Sequence, residues 1–220
     1  MTVAGFGLGW VGIKAQQARR QHAAVQAIEK SGGEVLYDYQ LGPDDYELQT
    51  AQPPGPTWLR SLVGNDMFDD VVKVSIRADE QMEFVKALPH LTSLEFYCSD
   101  QVSDAGLAYL RDVPQLRSLG FGISGHVTDA GLVHLSSLTQ LRQLDMRYLD
   151  ITDAGLEHVK GLNQLEELTL GNAITNTGLE QLKGLTQLKE LHVWATQVTD
   201  EGVLKLQEEL PNCKIQMWSN

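Results

Sequence analysis

The tetrad Leu/Val-x-x-Leu returns at a nearly constant interval through the second half of the chain. It occupies residues 88–91, 113–116, 138–141, 162–165 and 185–188, in steps of 25, 25, 24 and 23 residues. An alternating apolar pair follows each tetrad: Leu94 and Phe96, Leu119 and Phe121, Leu144 and Met146, Leu168 and Leu170, Leu191 and Val193, with Ile215 and Met217 as a sixth. A period of two makes a short strand with one inward face, and the later Gly-Leu-x-x-Leu spacing turns a helical stripe inward. One such unit cannot close a core. Five units stacked at about 4.8 Å per strand bury their leucines in a continuous column roughly 25 Å long over six strands.

Between strand and helix stand VSDAGL, VTDAGL, ITDAGL, ITNTGL and VTDEGV, with glycines at 106, 131, 155, 178 and 202. Ser103, Thr128, Thr152, Thr175 and Thr199 are predicted helix N-caps, with an acidic residue favoured next to them by the helix dipole. The glycine leaves room for the neighbouring unit. Asp104, Asp129, Asp153 and Asp200 would also form a ladder of carboxylates, which raises calcium as an alternative. A calcium site needs six or more convergent oxygens, whereas each unit offers one carboxylate and Asn176 replaces it once. The capping role is therefore the reading adopted.

A period of 20–29 residues in this form is the leucine-rich repeat. The predicted fold is α/β: a leucine-rich repeat solenoid, a right-handed βα superhelix with a parallel concave sheet and a small α/β N-terminal cap. Residues 88–218 resemble the bacterial leucine-rich repeat proteins built on the TDAGL unit, and also the repeats of F-box substrate adaptors. Residues 15–76, with AVQAIEKSGGEVLYDY and PPGPTWLRSLVGNDMFDDVVKVSI, resemble the flank that precedes such repeats in a membrane-anchored bacterial set. The repeat motif is specific for fold and silent on activity.

The 220 residues carry a formal charge of −12, distributed as +3 over residues 1–33, −7 over 34–90 and −8 over 91–220. A body so acidic repels phosphate backbones, so nucleic acid is not an expected partner. Cys98 and Cys213 are the only cysteines, too few for a disulfide framework, and both read as buried thiols.

At the N-terminus GLGWVG, Gly7 to Gly12, fits the spacing of a dinucleotide-binding loop. Such a loop follows a buried strand, and only Met1 to Phe6 precede it. Its ribose-binding acid, expected about 20 residues on, would have to be Asp38, 26 residues after Gly12. The nucleotide-enzyme reading is accordingly the least favoured. The favoured one takes residues 1–13 as an apolar tail or truncated membrane anchor, followed by the basic KAQQARR of a membrane boundary. Thirteen helical residues reach about 20 Å against a core of roughly 30 Å, so spanning would need apolar residues upstream. Membrane association is thus expected through residues 1–20, giving a bacterial envelope location if an anchor is completed and a cytoplasmic one otherwise.

Residues 14–87 read as a helix and an α/β cap. A helix over 15–30 ends at Ser31-Gly32-Gly33; Val35, Tyr37 and Tyr39 alternate as a strand; residues 41–57 are a proline-rich loop. Thr57 is predicted to cap a short helix, and Val72, Val74 and Ile76 to start the sheet. LPNCKIQMW is predicted to cover the other end.

The residues between the buried leucines face outward in two columns. Glu95, Gly120, Asp145, Thr169, His192 and Gln216 form the first; Tyr97, Gly122, Arg147, Gly171, Trp194 and Trp218 form the second, with Tyr148 beside Arg147. Tyr, Trp and Arg are enriched at binding hot spots, and Gly122 and Gly171 are read as gaps for partner side chains. The predicted partner surface is Glu95, Tyr97, Asp145, Arg147, Tyr148, His192, Trp194 and Trp218. His134 and His158 share a helical slot, but two ligands without a third make a poor metal site, and a solvated surface is the reading taken. No Ser-His-Asp or Cys-His set is present in any recognisable motif. The functional expectation is a monomeric, non-catalytic module that binds a protein partner, without cofactor or metal; an intracellular F-box-like adaptor of ubiquitin-type turnover is the alternative.

Overall fold

In the computed structural model, which describes residues 3–42, 47–48, 51–63, 68–123, 126–171, 173–194 and 197–218, eight strands form one sheet in sequence order. They are β1 (Glu34–Tyr37), β2 (Val71–Ala78), β3 (Ser93–Gln101), β4 (Ser118–Phe121), β5 (Gln143–Asp145), β6 (Glu167–Leu170), β7 (Glu190–Trp194) and β8 (Lys214–Trp218). From β2 onward every neighbour is parallel, while β1 runs antiparallel along β2. Leu94, Leu119, Leu144, Leu168, Leu191 and Ile215 align in a single row across the strands. All ten tetrad positions are buried, as are the five inward pairs from Leu94/Phe96 to Leu191/Val193. This is the leucine-rich repeat solenoid expected from the period, and its column begins one strand earlier, at Val71, Val74 and Ile76 of β2.

The return path is tighter than the helical spacing implied. α4 (Asp104–Leu107), α5 (Asp153–Leu156) and α6 (Asn176–Leu179) are single turns, two of which run on into 3-10 helix, and the Gly131–Ser137 segment is 3-10 throughout. Only α7 (Asp200–Glu209) is longer. A period of 23–25 residues leaves little chain to come back from one strand to the next, and a short helix fits that span.

Each turn is tied to the next by its acidic residue. Asp104 Oδ1 accepts from the Thr128 amide at 2.8 Å and Oδ2 from the Thr128 hydroxyl at 2.7 Å. Asp129 binds Thr152 in the same way at 2.9 and 2.6 Å, and Asp153 binds Thr175. The hydroxyl in turn caps its own helix, as when Ala154 N–H donates to Thr152 Oγ1. Asn176 keeps the geometry with one bond reversed, since its Nδ2 donates to Thr199 Oγ1. The glycines are required here: a Cβ at Gly155 would lie 2.3 Å from Asp129 Oδ1, and one at Gly178 the same distance from Asp153 Oδ1. Asp104, Asp129 and Asp153 are thus engaged by the chain itself, each tied to the hydroxyl and amide of the next turn. Asp79, at the head of α3 (Asp79–Met82), starts the series by binding Ser103 through both carboxylate oxygens.

The N-terminal residues close the first end of the column. α1 (Val3–Lys30) is continuous, so Gly7 to Gly12 lie inside a helix and not at a strand-to-helix corner. Their backbone amides belong to the helix, and the nucleotide-loop reading falls. The helix also runs unbroken through residues 13 and 14. Among the described residues no helix is long and apolar enough to cross a membrane. Ala24, Val25 and Ile28 pack into the core, and Gly32, at φ +84°, ends the helix in the left-handed region. Tyr39 falls in a 3-10 turn (Asp38–Gln40) and not in β1, and Thr57 is the first residue of α2 (Thr57–Val63) and not its cap. Within the predicted 41–57 loop, residues 43–46 and 49–50 lie outside the described residues, as does the Cys98 side chain. Cys213 is buried, which pushes its thiol up to about 11.

The open face of the sheet as candidate functional site

The strand register reproduces the first predicted column: Glu95, Gly120, Asp145, Thr169, His192 and Gln216 are successive partners across β3 to β8. In the second column Trp194 and Trp218 are direct partners, and their rings stack at 5.2 Å with 9° between the planes. β5 stops at Asp145, and the chain folds into a turn closed by Leu149 N–H donating to the Met146 carbonyl at 3.1 Å. That turn carries Arg147 and Tyr148 out over the sheet. The Arg147 guanidinium lies 5.4 Å from the Trp194 ring centre and 5.8 Å from that of Tyr148. Tyr148, Arg147, Trp194 and Trp218 therefore form one continuous stack.

Asp145 holds this stack in place. Arg147 Nε donates to its two carboxylate oxygens at 3.1 and 2.9 Å, and Nη2 lies 2.7 Å from Oδ2. The hydrogen bond to Asp145 raises the guanidinium pKa further, against the opposing effect of partial burial, so Arg147 stays charged. A guanidinium fixed by a carboxylate and laid on aromatic faces is pre-organised for contact.

Gly171 works differently from the expectation that it leaves a gap. A Cβ there would meet the Arg147 carbonyl at 2.8 Å and the Leu149 carbonyl at 2.9 Å. The backbone of the Arg147 turn occupies that space, so Gly171 seats the turn and offers nothing to a partner. Gly122, by contrast, lines an open depression of about 460 Å³ whose floor and walls include Gly120, Glu95, Asp145, Glu167 and His192. Tyr97 stands on one side of it and Tyr148 on the other, each 57% exposed. Trp194 and Trp218 lie outside this depression.

Glu95 and Tyr97 belong to a second group, toward the N-terminal strands. Lys73 Nζ lies 2.9 Å from Glu95 and 3.2 Å from Glu47, and Arg77 sits 5.7 Å from the Tyr97 ring. Burial works to lower the Lys73 pKa, but its two carboxylate partners more than offset this, and the net shift is upward. His192 Nε2 is 3.3 Å from Glu190. Glu167, Lys73 and Arg77 were missed in the sequence, although the same alternation places Glu167 two residues before Thr169 on this face. Among the described residues no three His, Cys, Asp or Glu side chains group as metal ligands.

No protein-family model and no curated protein matches the chain. Among solved structures, internalin C2 of Listeria monocytogenes is similar, with 16% identity over 68% of this chain and 74% of the other, at a TM-score of 0.47. An internalin (inlF) from the same organism has 19% identity over 62% of this chain and 50% of its own, at a TM-score of 0.37. Likenesses this slight carry no argument about function.

Proposed function

We propose that this chain is a non-catalytic interaction module whose protein partner docks on the open face of the sheet, across the Arg147–Trp194–Trp218 stack and the neighbouring depression. The observation that carries this reading is the stack itself: two stacked indoles and a carboxylate-fixed guanidinium on the open face of the sheet. Large aromatic and Arg side chains held in one geometry are what binding hot spots are made of. The depression beside them is lined by three carboxylates, Glu95, Asp145 and Glu167, against one guanidinium. The partner segment it suits is extended and basic, with an apolar group small enough to lie over Gly120 and Gly122. Ala24, Val25 and Ile28 of α1 and the inner residues of β2 pack into the core at the first end of the sheet, and we take residues 14–87 as a cap in preference to an F-box-like adaptor element.

The test is capture from a lysate of the source cells on the immobilised chain, compared across variants. Arg147→Ala with Trp194→Ala should lower capture of the same partner at least 10-fold and leave Tm within about 2 °C of wild type, whereas His134→Ala with His158→Ala should change nothing. Capture by the first double variant equal to wild type overturns the assignment of this face.

A further inference from the structure

The last strand ends differently from every strand before it. β8 has β7 on one side and no described strand on the other, so among the described residues nothing pairs its outer row of backbone N–H and C=O groups. Its inner face is incompletely covered as well: Met217 stands in the column of Leu170 and Val193, both buried, yet is 44% exposed. Trp218 on the open face is 47% exposed. Natural edge strands are usually blunted by charge, proline or a bulge. Lys-Ile-Gln-Met-Trp carries one lysine, at its first residue, and nothing else of that kind.

The strand is complementary to itself. Two copies run antiparallel about a two-fold axis at Gln216 set Lys214 opposite the partner's Trp218, Ile215 opposite the partner's Met217, and Gln216 opposite the partner's Gln216. Residues directly opposite in an antiparallel pair share a face, so the open faces join and the inner columns join. The pairing buries the exposed Met217 against Ile215 and puts an ammonium beside an indole. It also keeps the two Lys214 charges at opposite ends of the junction, about 14 Å apart along the strands. Registers moved by two residues leave either Trp218 or Lys214 without a partner, and a shift by one sets inner residues against outer ones.

We infer that β8 is a homotypic docking edge, through which two copies of this chain join into one sixteen-stranded sheet. The junction is small, so the dimer forms with a dissociation constant on the order of 10–100 µM. This goes beyond the partner surface proposed above and gives that surface two faces in one particle.

Sedimentation of the full chain over about 1–500 µM tests it. The mass is expected to rise from 24.3 kDa toward twice that value. Gln216→Lys sets two like charges opposite each other at the axis and is expected to weaken the dimer at least 10-fold, and Gln216→Glu likewise. An equimolar mixture of the two variants should recover the dimer, a rescue that damage to the fold would not give. A chain that stays monomeric throughout, a dimer indifferent to both substitutions, or a mixture that fails to recover it overturns the proposal. Arg147→Ala, which leaves the Trp194–Trp218 pair in place, should dimerise as wild type does, which separates this edge from the Arg147 part of the partner face.

Discussion

The two ends of the sheet are finished in different ways, and the contrast shows what a stack of repeats needs beyond its repeats. At the first end β1 pairs antiparallel and shifts register between Leu36 and Tyr37, so the edge it presents is short and irregular. Behind it, Gln81 is fully buried: its Nε2 donates to the Ile28 carbonyl and to Ser31 Oγ, and its Oε1 accepts from the Arg77 and Ala78 amides. Arg60 and Asp69 form a buried ion pair alongside, and Gln21 donates to the Asp69 carbonyl at 2.7 Å. At the other end Leu206 of α7, Leu210 and Cys213 are buried, and Gln207 Nε2 donates to the Leu210 and Cys213 carbonyls at 2.8 and 2.9 Å. Met217 and Trp218 stay half exposed there, and no cap follows Asp200 among the described residues. Terminal repeats are where solenoids need polar closure; here the first end has a buried amide and a buried ion pair, and the last a part-buried amide with Met217 and Trp218 half exposed beside it.

One single substitution, two pairs and one double-variant comparison sharpen or break that contrast. The largest effect is expected from Gln81→Leu, which takes the side-chain acceptor from the Arg77 and Ala78 amides at the closed end. Its cost should be about 3–4 kcal/mol in urea unfolding, and a loss below about 1 kcal/mol would show that the buried amide is not what joins α1 to the sheet. Next come two positions of the same inner column. Ile76→Ala, wholly buried in β2, should cost about 3 kcal/mol, and Met217→Ala about 1 kcal/mol or less, because much of that side chain is already in water. Equal costs would mean that the far end is covered after all. The smallest difference is between the first and last carboxylates. Asp79→Ala removes two hydrogen bonds to Ser103 and should cost about 1–2 kcal/mol. Asp200→Ala loses only its place in the first turn of α7, at most about 0.5 kcal/mol. Gly106→Ala, whose Cβ would collide with Asp79 Oδ1, should be better tolerated in the Asp79→Ala chain than in wild type.

The sheet was legible because leucine at a fixed step reports burial directly; the register of the outward columns followed from alternation alone. What escaped were positions where the motif is carried by another residue. Leu210 and Cys213 fill the sixth tetrad, with a thiol where a leucine is expected, and both are buried. Asp79 lies 25 residues before Asp104, but Gln81 and Met82 follow it instead of Gly-Leu, which hid the first rung. That residues 3–13 and the helix expected over 15–30 are one continuous helix was hidden for a thermodynamic reason. Glycine costs a helix about 1 kcal/mol per residue, yet α1 is anchored where Ala24, Val25 and Ile28 pack, and a helix already nucleated propagates at small cost. Of the eight predicted surface residues, Trp194 and Trp218 meet as alternation implies, whereas the clasp of Asp145 on Arg147 and the placing of Arg147 against Trp194 depend on a turn after β5 that alternation does not encode. Gly171 was misread for the same reason, since only the packed turn shows what fills the space above it.

Hydrogen exchange followed strand by strand on the full chain tests the contrast between the ends most directly. At low micromolar concentration the amides of β2 and of residues 24–30 should exchange near the global unfolding limit, with β8 fastest among the parallel strands, and β8 alone should gain protection as the concentration rises. Protection that is uniform from β2 to β8, or β2 exchanging before β8, would contradict an account in which one end is closed and the other is held open for association.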